Sequence, residues 1–222
     1  MNNQEQKNKT FVTKIVEHFK VNWKSILTAY VILFITFAIF LTIDQLTKTF
    51  LFKHGDVLRL RQDGQIPLPD GTYIFPENIY PSNSGEWQNF GLFGIRSIWH
   101  KGVTFLKTTN IALIQGLSFM VAAFILILPL FFAKNSLYYS IPLGILLAGD
   151  FGNALDRILF NGYVKDMLYL PWADKGTFNL ADTFVFVGII VFVIISITMW
   201  IKEAREEDKD LEYEANIYIR NK

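Results

Sequence analysis

Between Gly149 and Asp182 three polar clusters interrupt a largely apolar sequence. They read Gly149-Asp150-Phe151-Gly152-Asn153 with Asp156-Arg157 following, then Gly162-Tyr163-Val164-Lys165-Asp166, then Phe178-Asn179-Leu180-Ala181-Asp182. Asp166 and Asp182 stand 16 residues apart, just ahead of the last apolar run. Charged groups cost free energy near hydrocarbon, so those that a membrane protein keeps there mark a working site. Two carboxylates able to share one proton are the reacting groups of an aspartic protease. The stretch reads as the site of a membrane-embedded hydrolase.

The rest of the chain supports a membrane setting. Its 222 residues are 51% hydrophobic and 16% aromatic, too apolar for an ordinary soluble domain. A formal net charge of +1 gives no basic field for nucleic acid. The absence of cysteine excludes disulfides, thiol catalysis and cysteine-held metal centres. His18, His54 and His100 are the only imidazoles and show no His-x-x-x-His spacing, so neither a metal site nor a cofactor is expected. The first apolar run starts too far along the chain and runs too long for a cleavable signal, and reads as a retained first span.

The predicted fold class is an all-α membrane protein with four transmembrane helices and a small extracytoplasmic subdomain, β-containing or irregular. The spans fall at about 25–43, 111–133, 136–157 and 182–201 of a single polytopic domain. Three of them are uncharged over Ser25–Ile43, Ile111–Ala133 and Thr183–Ile201, each near the roughly 20 residues that cross a bilayer core. The third carries Asp150, Asp156 and Arg157 in its outer half. Residues 45–110 form the outer insertion, where Pro67, Pro69, Pro76 and Pro81 alternate with β-prone stretches such as Tyr73-Ile74-Phe75. Residues 202–222 form a charged cytoplasmic tail. Lys7, Lys9, Lys14, Lys20, Lys24, Lys134, Lys202 and Arg205 all fall on one side, which places both termini in the cytoplasm. Every unusual polar feature then converges on the outer face.

Several of these residues also have plainer readings. Asp156 and Arg157 read foremost as a buried ion pair locking helices together, with Asn153 on the same helical face. Asn179 and Asp182 match a helix N-cap and its capping box. Capping alone does not explain why Asp166 arrives nearby through a short loop, which favours catalysis. Asp150 and Asp174 compete as candidates, Asp174 reading as a solvated loop residue. His100 reads as a loop histidine with a surface or hydrogen-bonding role. Ser118 lies mid-span with no base in reach by pattern. Asp182, in the first turn of a helix, is the member of the pair expected to be ionised.

At these residues the chain resembles the lipoprotein signal peptidases, or signal peptidase II. The family shows Gly-x-x-x-Gly-Asn-x-x-Asp-Arg, Gly-x-Val-x-Asp-Phe and Phe-Asn-x-Ala-Asp, and the three clusters follow that order, with two residues instead of three between Gly149 and Gly152 and with Met167 at the Phe position. Asp44-Gln45-Leu46-Thr47-Lys48 matches a further Asp-Gln-x-Thr-Lys segment. His100-Lys101-Gly102-Val103-Thr104-Phe105 stands where the family has Asn-x-Gly-x-Ala-Phe, and Lys165 stands where a valine is usual. The loop between Asp44 and His100 is longer than in the family.

The resemblance implies an aspartic endopeptidase of the bacterial plasma membrane, without cofactor. It would remove signal peptides from prolipoproteins, cutting before a diacylglyceryl-modified cysteine at the outer face, in contact with membrane lipid. A globomycin-type inhibitor would block it. The catalytic pair maps onto Asp166 and Asp182. Substrate-binding and supporting roles map onto Asp44, Lys48, His100, Gly102, Gly149, Asn153, Arg157 and Asn179. The alternatives are an intramembrane Gly-x-Gly-Asp-type aspartic protease, for which Leu147-Ala148-Gly149-Asp150 lacks the first glycine, and a small proton-coupled transporter, which needs polar groups nearer the midplane.

Overall fold

The computed structural model describes residues 11–102, 108–131 and 136–220. Outside them lie Lys7, Lys9, Lys134, Val103-Thr104-Phe105 and the last two residues of the second expected span. The fold is mostly helical. Helix α1 spans Phe11–Leu51, α2 Ile111–Ile127, α3 Ser136–Leu159 and α4 Leu180–Arg220. Among the described residues three helices are long and apolar enough to cross a membrane, within Val12–Leu51, Ile111–Leu130 and Leu180–Tyr213.

Helix α3 is not among those three, and its packing shows why. It sits between α1, α2 and α4 and buries Tyr139, Leu143, Leu147, Ala154 and Asp156 against them. Leu33 of α1 and Ile125 of α2 join Tyr139, Leu143 and Leu147 in one apolar cluster. The outer helices instead leave large apolar side chains such as Phe34, Phe124 and Ile189 exposed. A helix enclosed by its neighbours can carry Ser140, Asn153 and Asp156 at positions where lipid would reject them. Glycine permits the closest approach: a Cβ on Gly149 would stand 2.5 Å from the Ala181 carbonyl of α4, and one on Gly152 2.6 Å from an Asp44 carboxylate oxygen.

The sheet joins two separate stretches of chain. Strands β3 (Gln88–Asn89), β4 (Gly94–Lys101) and β5 (Tyr163–Tyr169) form an antiparallel sheet in that order. Asn161 and Gly162, at φ 52° and 88°, turn the chain from α3 into β5. The residues after Gly162 are extended. They form a full strand because Tyr163, Val164 and Met167 through Tyr169 are buried, on both faces of the sheet, which removes the alternating pattern that betrays a strand. A two-stranded hairpin, β1 (Ile66–Pro67) and β2 (Tyr73–Ile74), completes the insertion. Val57, Ile66, Leu68 and Ile74 pack there against Trp99 and Tyr163, which ties the insertion to the strand that carries Asp166.

Candidate active site

Asp166 reaches the site on β5, and Asp182 on the first turn of α4. Asn179 connects them. Its side-chain amide donates to Asp166 Oδ1 at 2.8 Å, and its backbone N–H donates to Asp182 Oδ2 at 3.2 Å. Its Oδ1 accepts the Asp182 backbone N–H at 3.0 Å, so the capping box forms as well. Asn153 of α3 closes the circuit, donating to Asp182 Oδ1 at 2.8 Å and accepting from Asn179 at 2.9 Å.

The two carboxylates differ in environment. Asp182 is exposed and takes an N–H donor on each oxygen, at a helix N-terminus whose dipole favours negative charge. Asp166 is only 3% exposed. Burial pushes its carboxyl up to about 6, against a downward pull from His100, and the negative charge of Asp182 adds to the rise. His100 Nδ1 stands 3.2 Å from Asp166 Oδ2. That contact raises the imidazole above its usual value despite its partial burial.

His100 lies on strand β4, not in a loop. In the register Ile98 faces Asp166 and His100 faces Val164, so His100 and Asp166 are diagonal neighbours on one face of the sheet. Trp99 and Lys165 share the other face. There the Lys165 ammonium lies 4.3 Å from the Phe160 ring centre and within 5.8 Å of those of Phe52 and Trp99.

The expected Asp156–Arg157 pair does not form. Adjacent residues of a helix point about 100° apart and cannot face each other. Asp156 turns inward to Lys48 at 3.0 Å, and Lys48 also bonds Asp44 at 2.9 Å. Lys48 is 1% exposed and donates to Asn153 Oδ1 at 3.2 Å, which connects this ionic cluster to the amide circuit. Gln45 donates to Asp44 at 3.0 Å. The remaining Asp44 oxygen accepts the Ala181 N–H at 2.9 Å, so α1 caps α4. The central role of Asp156 escaped the sequence reading, although the i,i+4 spacing of Asp44 and Lys48 already marked half of the cluster.

Arg157 donates to the Gly102 carbonyl at 3.1 Å and attracts both Asp182 and Asp166 electrostatically. Of two further expectations, the first holds only in part and the second fails. Asp174 is not merely solvated: both its oxygens bond Arg96, each at 2.7 Å. Ser118 does have a carboxylate in reach, donating to Asp150 Oδ1 at 2.8 Å, a bond that ties α2 to α3.

Beside Asp182 a crevice of about 240 Å³ is lined by Ser118, Gly149, Asp150, Asn153 and Arg157. It shares Leu117, Val121, Asp150 and Val185 with an apolar groove of about 760 Å³ that continues along α2 and α4 to Phe124 and Phe192. Asp150 Oδ2 and Arg157 Nε are buried with no hydrogen-bond partner among the described residues.

Membrane-length helices with a linked carboxylate pair at one end define a membrane enzyme suited to acid–base hydrolysis. The comparisons with known proteins sharpen that class. The family model described as signal peptidase (SPase) II matches residues 35–198. Lipoprotein signal peptidases of similar sequence include that of Enterococcus faecalis, 35% identical over 55% of this chain and 75% of the relative. That of Syntrophus aciditrophicus is 31% identical over 74% of this chain and 91% of its own. Two solved structures described as bacterial membrane enzymes share the fold. They give TM-scores of 0.53 and 0.51 at 17% and 19% identity, covering 77% and 76% of this chain and 88% and 91% of theirs. The chain belongs to the signal peptidase II family and is a membrane peptidase.

Proposed function

We propose that this peptidase removes signal peptides from lipoprotein precursors, cutting before the diacylglyceryl-modified cysteine, with Asp166 and Asp182 as its catalytic pair. The single observation that carries the reading is Asn179. It holds a buried carboxyl and an exposed carboxylate in one hydrogen-bonded unit, at the mouth of a crevice that opens onto an apolar groove. Asp182 takes a proton from water. The resulting hydroxide adds to the scissile carbonyl while protonated Asp166 donates to its oxygen. Collapse of the tetrahedral adduct returns a proton to the leaving nitrogen and breaks the C–N bond. Asn153, Asn179 and the ionic cluster of Asp44 and Lys48 hold the pair in place. Arg157 stabilises charge, and Gly149 lets α3 approach α4. His100 and Gly102 border the substrate path, and the free atoms of Asp150 and Arg157 meet the substrate backbone.

The groove accepts the apolar signal segment and acyl chains, whose place in the lipid brings the scissile bond to the membrane surface. In this reading α3 is a fourth span shielded by the other three, and residues 45–110 stand outside a bacterial plasma membrane. Residues 202–222 and both termini are cytoplasmic in this reading, which the lysine pattern supports.

The test is incubation of the purified protein in lipid with a diacylglyceryl-modified precursor, with and without globomycin. Release of the signal peptide, blocked by the inhibitor, is expected. Failure to cut that precursor, or equal cutting by Asp166→Asn and Asp182→Asn, overturns the proposal.

A further inference from the structure

Arg96 is a buried cation that belongs to neither carboxylate cluster. It stands in β4 at a bulge. Between the pairs Ile95–Leu168 and Ile98–Asp166, β4 takes three steps against two of β5. Strict alternation would put Arg96 on the face of Ile98 and His100. The extra residue turns it onto the rings of Trp87 and Tyr169, each centred 4.5 Å from the guanidinium carbon. Gly94 makes room for this: a Cβ there would stand 2.4 Å from the Tyr169 ring. The edge of the guanidinium is filled as well. Nη1 and Nη2 donate to the two Asp174 oxygens at 2.7 Å each, and Nε donates to the Thr177 hydroxyl at 2.8 Å. A planar cation held by two rings and along its edge is fixed in orientation.

Asp174 and Thr177 both belong to the loop 170–178, which links the strand that carries Asp166 to the helix that carries Asp182. The tip of the loop is fastened by Trp172, whose indole N–H donates to the Leu92 carbonyl at 3.0 Å. Arg96 grips the half that leads into the site. Thr177 precedes Phe178, whose backbone exchanges two hydrogen bonds of 2.8 Å with Leu168. Asn179 follows, bonded to both carboxylates. A buried guanidinium needs its donors filled wherever it lies. Here they are filled by the segment that sets the spacing of the two aspartates.

We infer that Arg96 is a positioning residue, which grips Asp174 and Thr177 so that Asn179 enters the site at one place and holds Asp166 and Asp182 at one separation. It touches neither carboxylate and acts through the loop. The inference rests on the assignment of Asp166 and Asp182 as the catalytic pair, and deepens it.

Two variants of the full chain, reconstituted in lipid, test it. Arg96→Lys keeps the charge and loses the fork. Asp174→Ala releases the grip from the exposed side of the loop and leaves the buried strand untouched. Each is assayed on a diacylglyceryl-modified precursor across pH. The charged and titratable groups that act on Asp166 are His100 of β4, Asp182 of α4, Lys48 of α1 and Arg157 of α3, and both variants keep all four. Both are expected to lower kcat about tenfold with KM little changed, since a displacement of about 1 Å can cost roughly 10²-fold. The alkaline limb of kcat/KM is expected to move to lower pH. The charge of Asp182 helps to hold the Asp166 carboxyl up to about 6, and a looser pair repels less. Loss of folded protein would lower the height of the profile and leave its limb in place. An unmoved limb with wild-type kcat per folded molecule in Asp174→Ala, whatever the change in thermal stability, overturns the inference alone. Wild-type cleavage by Asp166→Asn removes the catalytic pair, and the inference falls with it.

Discussion

Two carboxylate pairs stand within one side chain of each other in this protein, and they are joined in opposite ways. Asp44 and Asp156 share a lysine; Asp166 and Asp182 share an asparagine. A buried ammonium offsets the charge of its carboxylates and holds both in place, so that pair is fixed and inert. An amide supplies donors and no charge. Like charges held close by an amide repel, and the pair relaxes by keeping one proton. In the proposed reading, the buried ammonium of Lys48 thus separates a structural cluster from a chemical one. Asn153 touches both and transmits the rigidity of the first to the second.

The comparison can be broken from either side. The largest effect is expected on catalysis. Asp166→Asn and Asp182→Asn should each lower cleavage by about 10²–10⁴-fold, the span typical for loss of an acid or base, with insertion and thermal stability unchanged. Turnover near wild type in either variant would remove that residue from the mechanism. Lys48→Met should act on the fold instead. It leaves two buried carboxylates facing each other, a loss of about 3–5 kcal/mol by analogy with other broken buried pairs. Thermal unfolding in detergent measures it, and unchanged stability would dissolve the contrast between the clusters.

Asn179→Ala touches both properties. Loss of the helix cap should cost roughly 1 kcal/mol, and the two carboxylates lose their shared donor. Cleavage should fall further than stability alone explains, with kcat reduced more than KM rises. Asn179→Asp should not restore it, because it adds a third carboxylate.

The smallest change is expected at His100. His100→Asn should keep most activity and move the pH profile. Asp166 holds its proton below about 6 and releases it above. Its contact with the imidazole pulls that value down, so removing the ring raises it. The protonated form then survives to higher pH, and the alkaline limb of kcat/KM should shift upward. A downward shift would contradict the assignment of the proton to Asp166.

Much of this arrangement was legible in the sequence. The three clusters from Gly149 to Arg157, Gly162 to Asp166 and Phe178 to Asp182 were expected at one end of the bundle, and they meet there. The partner of Asp156 was misread, because Arg157 is its neighbour in sequence and Lys48 its neighbour in space. Only the i,i+4 spacing of Asp44 and Lys48 pointed to that contact. Strand β5 was hidden by burial on both faces, and His100 looked like a loop residue because its strand pairs with residues 66 positions away at Asp166. Pairings of that sequence separation leave no local signature.

The bond from Ala181 N–H to Asp44 ties the first helix to the last across 137 positions. During synthesis Asp44 enters the membrane early and waits with Lys48 while most of the chain is still unmade. The N-terminus of α4 arrives last and docks onto an acceptor laid down at the start, and only then does Asp182 take its place. A nascent chain short of its final helix holds one carboxylate of the pair and no partner for it. In the proposed mechanism, catalysis therefore waits on the docking of α4 against α1.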